Sequence, residues 1–91
     1  MNYEDALTTL GNMLNECEKK DPDWEHMKEL TRRYNVVDTA DMHYRERELW
    51  RSAGTSLVVF YIRKHDLGKV DMKCFDRASN FYQKHLMERV Y

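Results

Sequence analysis

The fold of this chain depends on one apolar stretch, Leu57-Val58-Val59-Phe60-Tyr61-Ile62. These residues would be apolar on every face of a helix, and most of them are strong β-formers. Periodicity alone cannot separate a buried strand from a buried helix in so short a run. A strand would need a partner, and only the short pairs Val36-Val37 and Val90-Tyr91 offer one. The stretch therefore favours a helix, and the alternative is a small α+β fold with a strand at residues 56–62.

On both sides of this stretch the chain has the spacing of amphipathic helices. Apolar residues recur every three or four positions, and one proline and three glycines leave few breaks. Four helices are predicted, from about Tyr3 to Lys19, from Asp21-Pro22 through Tyr34, from Asp38 or Thr39 to near His65, and from Asp71 onward. Residues 66–69 have the composition of a turn. Short connections predict an all-α fold, an antiparallel bundle of about four helices that forms a single domain over residues 1–91.

Each predicted helix has one apolar face that should point inward. In the first helix this face is Tyr3, Ala6, Leu7, Leu10, Met13, Leu14 and Cys17, and in the second Trp24, Met27, Leu30 and Tyr34. In the third it is Met42, Leu49, Trp50, Ala53, Leu57, Phe60 and Tyr61, and in the fourth Phe75, Ala78, Tyr82, Leu86 and Val90. Gly11 and Gly54 interrupt these faces, at a cost of about 0.5–1 kcal/mol each relative to alanine. A close helix contact would explain Gly11, and Gly54 is expected to be the weak point of the third helix.

Composition excludes several classes of protein. An apolar fraction of 42% with 12% aromatic residues is too high for a disordered chain. No apolar run is long enough to span a bilayer, and the N-terminal residues lack the pattern of a secretory signal. Two cysteines are too few for a disulfide framework, and Cys17 on an apolar face is expected to be a buried, reduced thiol. We therefore expect a cytoplasmic protein without membrane association.

No pattern of catalytic residues is evident, so we expect no enzymatic activity and no cofactor. Glutamate follows histidine by three positions at His26/Glu29, His43/Glu46 and His85/Glu88. Each pair would share a helix face, but a metal site needs several such ligands to converge. The serines lie inside predicted helices without a supporting histidine one turn away, and the chain has no glycine-rich phosphate loop.

Charge is distributed unevenly along the chain. Residues 1–31 carry three basic and eight acidic side chains, whereas residues 32–91 carry twelve basic and eight acidic ones. On the fourth helix, helical spacing aligns four polar or basic residues beside Phe81: Lys73, Arg77, Asn80 and Lys84. We call these four residues the basic ridge. The basic ridge could hold phosphate or carboxylate groups, with Phe81 as a stacking surface.

These features predict a non-enzymatic protein-interaction module that acts as an adaptor or inhibitor of a larger protein, a class that includes virus-encoded regulators. If the central stretch is helical, Val58, Val59 and Ile62 face away from its main apolar stripe. An apolar face left over on a small bundle favours self-association, so a homo-oligomer is expected. The alternative is a nucleic-acid-associated protein that uses the basic ridge, although an isoelectric point near 6.4 disfavours this class.

Overall fold

A computed structural model describes residues 3–37 and 42–90, with the backbone alone at Tyr3 and at residues 88–90. It contains four helices: α1 (Tyr3–Glu18), α2 (Trp24–Asn35), α3 (Tyr44–Asp66) and α4 (Met72–Val90). No strand occurs in these described ranges, and the stretch 57–62 lies inside α3. The predicted all-α bundle is thus confirmed, and the α+β alternative is wrong. The physical reason is that α1, α2 and α4 all pack against α3, which buries Leu57, Phe60 and Tyr61 without a sheet.

Helices α2 and α4 run antiparallel to α3. Phe60 meets Phe75 with ring centroids 5.2 Å apart, and Trp50 meets Phe81 at 5.8 Å, so α3 and α4 run in opposite directions. The α2–α3 pair behaves in the same way, because Trp24 stacks on Tyr61. A helix of 23 residues is about 34 Å long. This length accounts for the long axis of the molecule, which measures 37 Å against 23 Å in the other two directions.

The predicted inward faces form the core, with three exceptions. The buried apolar side chains come from all four helices and include Leu10, Met27, Leu57 and Ala78. Trp24, Leu49 and Leu86 were also expected inside, but each is 40% exposed or more. Trp24 covers Tyr61 from the outside, which explains why its position follows the apolar period although solvent still reaches it. The side chains of Tyr3 and Val90 lie outside the described part of the chain.

Helix α2 begins later than the sequence predicted. Asp23, not Asp21, is its cap, and the Asp23 carboxylate accepts hydrogen bonds from the amides of Glu25 and His26. The backbone amide of Asp23 in turn donates to the buried Glu16 carboxylate at 2.8 Å. This tertiary hydrogen bond holds the connection extended as far as residue 23, so the helix starts at Trp24 and Pro22 remains in the loop.

The ends of α3 are fixed by side-chain and backbone caps. His43 is its N-cap, and the His43 Nδ1 accepts a hydrogen bond from the Arg45 amide at 3.2 Å. The caps predicted at Asp38 or Thr39 lie outside the described residues. At the other end the Lys69 amide donates to the Arg63 carbonyl at 2.8 Å, and Gly68 adopts a φ of 66°, as a glycine-ended helix requires.

The turn after α3 leads directly into α4. Asp71 caps α4 as predicted, because its carboxylate accepts a hydrogen bond from the Lys73 amide at 3.1 Å. Within the described ranges, no helix has an apolar segment long enough to cross a bilayer.

Candidate interaction surfaces

The basic ridge on α4 lies on the outside of the bundle, as predicted. Lys73, Arg77, Asn80 and Lys84 are all exposed. None of their side chains forms an ion pair with another described residue. Their charges are therefore available to a partner.

Phe81, the ring predicted to offer a stacking surface, makes contacts within the bundle. Its ring is half-buried, lies edge-on to Trp50 at 5.8 Å and packs on His85 at 4.3 Å. Both contacts are intramolecular, and the ring belongs to the group of side chains that surround the core. The structure thus brings together the charged members of the basic ridge but turns Phe81 inward.

A cleft between α3 and α4 extends the positive charge of the ridge. It has a volume of about 330 Å³ and is lined by Arg51, Ser52, Ser56, Val59 and Arg63 of α3 and by Arg77 of α4. We call this feature the basic cleft. Glu48 contributes the only carboxylate among its described lining residues, and Cys74 lies on the α4 side. Sequence reasoning found Arg77 but missed the arginines of α3, since only the packing of the two helices places all three guanidinium groups along one cleft.

The arginines of the basic cleft differ in their pairing. Arg63 donates to the Asp71 carboxylate at 3.1 Å, in an ion pair that is partly exposed on both sides. Arg51 and Arg77 have no carboxylate partner among the described residues. An exposed pair contributes only about 0–1 kcal/mol, so Arg63 can exchange its partner at little cost. The cleft therefore offers guanidinium groups to an incoming anion.

The hydroxyl groups of the basic cleft are also available. Ser52 and Ser56 follow each other at a spacing of four, and Ser56 is only 5% exposed. Neither hydroxyl forms a hydrogen bond with a residue in the described ranges. Helical hydroxyls elsewhere behave differently, since Thr9 and Thr31 each donate to the carbonyl four residues earlier at 2.8 Å. The hydroxyl groups of the two serines can therefore donate hydrogen bonds to a ligand.

The predicted self-association residues do not share one surface. Val58 faces the α2 side of α3, Val59 faces the basic cleft on the α4 side, and Ile62 is exposed. A rotation of 100° per residue places consecutive valines on different flanks of a helix, whereas Val58 and Ile62 are one turn apart and share a face. The structure therefore joins Val58 with Ile62 and separates Val59 from them.

An apolar groove runs between α2 and α3. Its volume is about 380 Å³, and it is lined by Trp24, Lys28, Arg32, Val36 and Val58. We call it the apolar groove. Trp24 is 40% exposed here and also lines an adjoining cavity of about 400 Å³ with Tyr61 and His65. Burial lowers the pKa of His65 from its usual value, so this ring is neutral at physiological pH and adds no charge. Trp24 thus connects the apolar groove, which includes Lys28 and Arg32, with a cavity that also contains Asp21 and Asp66.

Metal ligands do not converge in the described part of the chain, where no group of three His, Cys, Asp or Glu side chains could hold an ion. His43 uses its Nδ1 as a helix cap, and the Glu29 carboxylate binds Arg32 and Arg33. Glu88 lies where only the backbone is described.

Comparisons of the chain with protein-family models, with curated proteins and with solved structures yield no match. The function of the two surfaces is therefore inferred from their geometry.

Proposed function

We propose that this protein is a non-enzymatic protein-interaction module that self-associates through the apolar groove and docks on a larger protein as an adaptor or inhibitor. The observation that carries the proposal is the exposed apolar groove beside Trp24. Trp24 is 40% and Val36 62% exposed, although both are apolar and line the same groove. Contiguous apolar surface of this kind is typical of protein interfaces.

A second copy of the chain is the occupant that best fits the apolar groove. The charged residues of α2 are paired within the helix, Lys28 with Glu25 at 2.9 Å and both Arg32 and Arg33 with Glu29. This internal pairing leaves little net charge to select an oppositely charged partner or to repel an identical helix. The groove also follows α2, whose 12 residues span about 18 Å. A second α2 of the same length would therefore match it in a two-fold symmetric dimer.

The area required for such a dimer is available on this side of the molecule. A typical stable interface buries about 800 Å² on each partner. The accessible surface of the chain is 6180 Å², so the interface would take roughly an eighth of it. The apolar groove is lined by Val58 and the basic cleft by Val59, and these valines lie on different flanks of α3. Self-association would thus leave the basic cleft open for a larger partner.

The test compares two valine-to-glutamate variants of similar exposure. Val36 lies in the apolar groove and is 62% exposed, whereas Val70 lies in the turn before α4 and is 59% exposed. Both replacements should leave the circular dichroism spectrum unchanged, because both sites are on the surface. Sedimentation equilibrium should give twice 11.1 kDa for the wild type and for V70E but 11.1 kDa for V36E.

Two results would contradict self-association through this surface. One is a wild-type chain that stays monomeric at high micromolar concentration. The other is a folded V36E variant that remains dimeric. Val58→Glu provides a second disruption of the groove, and Val58→Thr controls for any loss of folding, because it keeps the shape of the side chain while adding a hydroxyl.

A further inference from the structure

We propose that the basic cleft between α3 and α4 binds a phosphorylated segment of a protein partner. This inference rests on the proposed function as an interaction module and names the chemistry of what that module recognises. It combines a charged cleft with a second, independent feature, the uncommitted serine hydroxyls.

Arginines from two helices line the basic cleft. Arg51 and Arg63 are twelve residues apart on α3, which separates their backbones by about 18 Å. Arg77 enters the same cleft from α4. Arginine binds phosphate through two parallel hydrogen bonds of its planar fork, which a lysine cannot reproduce. An anion in the cleft could therefore accept hydrogen bonds from arginine guanidinium groups of both helices.

The serine hydroxyls supply donors on the floor of the cleft. Ser56 is almost completely buried from solvent yet lines the cleft, and its hydroxyl has no hydrogen-bond partner among the described residues. Ser52 lies one turn earlier on the same face of α3. The Ser56 hydroxyl is not among the fully buried polar atoms without a partner in the described residues, so it remains within reach of a ligand. Both hydroxyls can donate to the same oxyanion that the arginines bind.

A phosphate group fits this set of donors better than a carboxylate does. Phosphate on a side chain carries about −1.5 to −2 charges and three strong acceptor oxygens. It has enough acceptor oxygens for Arg77, for one of the two α3 arginines and for a serine hydroxyl, and its charge exceeds that of Glu48, which also lines the cleft. A single carboxylate has one negative charge and two oxygens, which leaves part of the donor set unused.

A peptide is favoured over a nucleic acid as the carrier of this phosphate. Proteins that bind single-stranded nucleic acid without sequence preference stack its bases on exposed aromatic rings. No aromatic residue lines the basic cleft. Phe81, the nearest ring in the sequence of the basic ridge, packs on Trp50 and His85. The eight acidic side chains of residues 1–31 would also repel a long polyanion. A short phosphopeptide needs no stacking surface, and its single phosphate extends less negative charge towards the acidic residues. Val59 can contact an apolar side chain of the peptide beside the phosphate.

The experiment measures binding of the full-length chain to peptides that differ only in phosphorylation. The probe is a fluorescent peptide library with a central phosphoserine and randomised flanking residues, and its two counterparts carry serine or glutamate at the centre. Anisotropy should show binding of the phosphorylated library that weakens as salt rises. Binding of the serine library should be at least about tenfold weaker, which corresponds to about 1.4 kcal/mol. In nuclear magnetic resonance spectra the amides of Ser52 and Ser56 should shift with the phosphorylated library.

Matched variants locate the site. Arg77→Gln should reduce the affinity about tenfold or more, and Arg77→Lys should restore little of it, since lysine keeps the charge but loses the fork. Arg33→Gln makes the same charge change on α2, outside both surfaces, and should leave the affinity within about twofold. Ser52→Ala should weaken binding without altering the melting temperature.

The opposite results would overturn the inference. Equal affinity for the phosphorylated and serine libraries would show that the basic cleft does not recognise the phosphate group. Equal or tighter binding of a single-stranded oligonucleotide would replace the phosphopeptide with nucleic acid as the ligand. Sedimentation of the same samples separates this inference from the proposed function. A dimer without phosphopeptide binding refutes the inference alone, whereas phosphopeptide binding by a monomer refutes the proposed self-association alone.

Discussion

The ring of Tyr34 lies against the backbone of Gly54, on the helix next to its own. A Cβ atom added at Gly54 would be only 2.7 Å from Cε1 and 2.9 Å from Cδ1 of that ring. The ring cannot withdraw easily, because Tyr34 is fully buried, stacks on Trp50 at 4.8 Å and donates its hydroxyl to the Trp50 carbonyl at 2.5 Å. Gly54 is therefore the position where the Tyr34 ring of α2 packs onto the backbone of α3, and it is not simply a weak point in a helix.

Gly54→Ala should destabilise the protein. Alanine would improve helix propensity by about 1 kcal/mol, but overpacking against the fixed Tyr34 ring typically costs about 1–3 kcal/mol. Gly11→Ala is the matched control, because its added Cβ would meet the half-buried Tyr82 ring, which has more room to move. Urea denaturation should give a lower midpoint for G54A than for G11A. The reverse order would show that Tyr34 yields more readily than Tyr82.

The buried hydroxyl of Tyr34 should contribute measurably to stability. Tyr34→Phe keeps the stack on Trp50 but removes the hydrogen bond to its carbonyl. The expected loss in the free energy of unfolding is about 0.5–1.5 kcal/mol. Tyr44→Phe, at a side chain that is 67% exposed, should change it by less than about 0.5 kcal/mol. Identical thermal midpoints for the two variants would count against this role of Tyr34.

Glu16 should make the stability depend on pH. Burial alone would raise the pKa of its carboxyl group, but the Lys19 ammonium and the Asp23 amide offset this and hold the pKa below its ordinary value of 4.5. A carboxyl whose pKa is depressed by folding stabilises the protein above its unfolded pKa, and this contribution is lost as pH falls through the folded pKa. Glu16→Gln should thus destabilise at neutral pH by about 1–3 kcal/mol.

The difference between E16Q and the wild type should shrink as the pH falls below 4.5. Thermal denaturation at several pH values measures it. The exposed Glu18→Gln variant is the control and should show a small difference at every pH. A constant gap between E16Q and the wild type across this range would mean that the loss comes from packing and not from the charged form of Glu16.

The two cysteines should react with alkylating reagents at very different rates. Cys17 is fully buried, its thiol points to the Leu57 carbonyl at 3.7 Å, and burial raises its pKa to about 12. Only the thiolate reacts, so Cys17 should be protected in the native state, whereas the half-buried Cys74 should react first. Mass spectrometry of C74S and C17S after iodoacetamide treatment checks this. Rapid labelling of native C74S would contradict the burial of Cys17.

The favoured all-α fold and most of the core could be predicted from the sequence. The helical period of Ala6, Leu10 and Met13, and the same period in α2 and α4, could be recognised because a helix must bury one continuous stripe. The cap at Asp71 and the turn at Gly68 were equally predictable, since both depend on local backbone geometry. The charged members of the basic ridge followed from spacing alone.

Features that join distant parts of the chain could not be predicted in this way, because they depend on contacts between helices. The start of α2 depends on the Glu16 carboxylate, seven residues before Asp23, so no local rule for caps could locate it. The role of Gly54 depends on Tyr34, and the inward turn of Phe81 depends on Trp50. The basic cleft has the same origin, because Arg51 and Arg77 lie on different helices. Sequence periodicity reports which face of a helix is apolar, but which faces meet is set by three-dimensional packing.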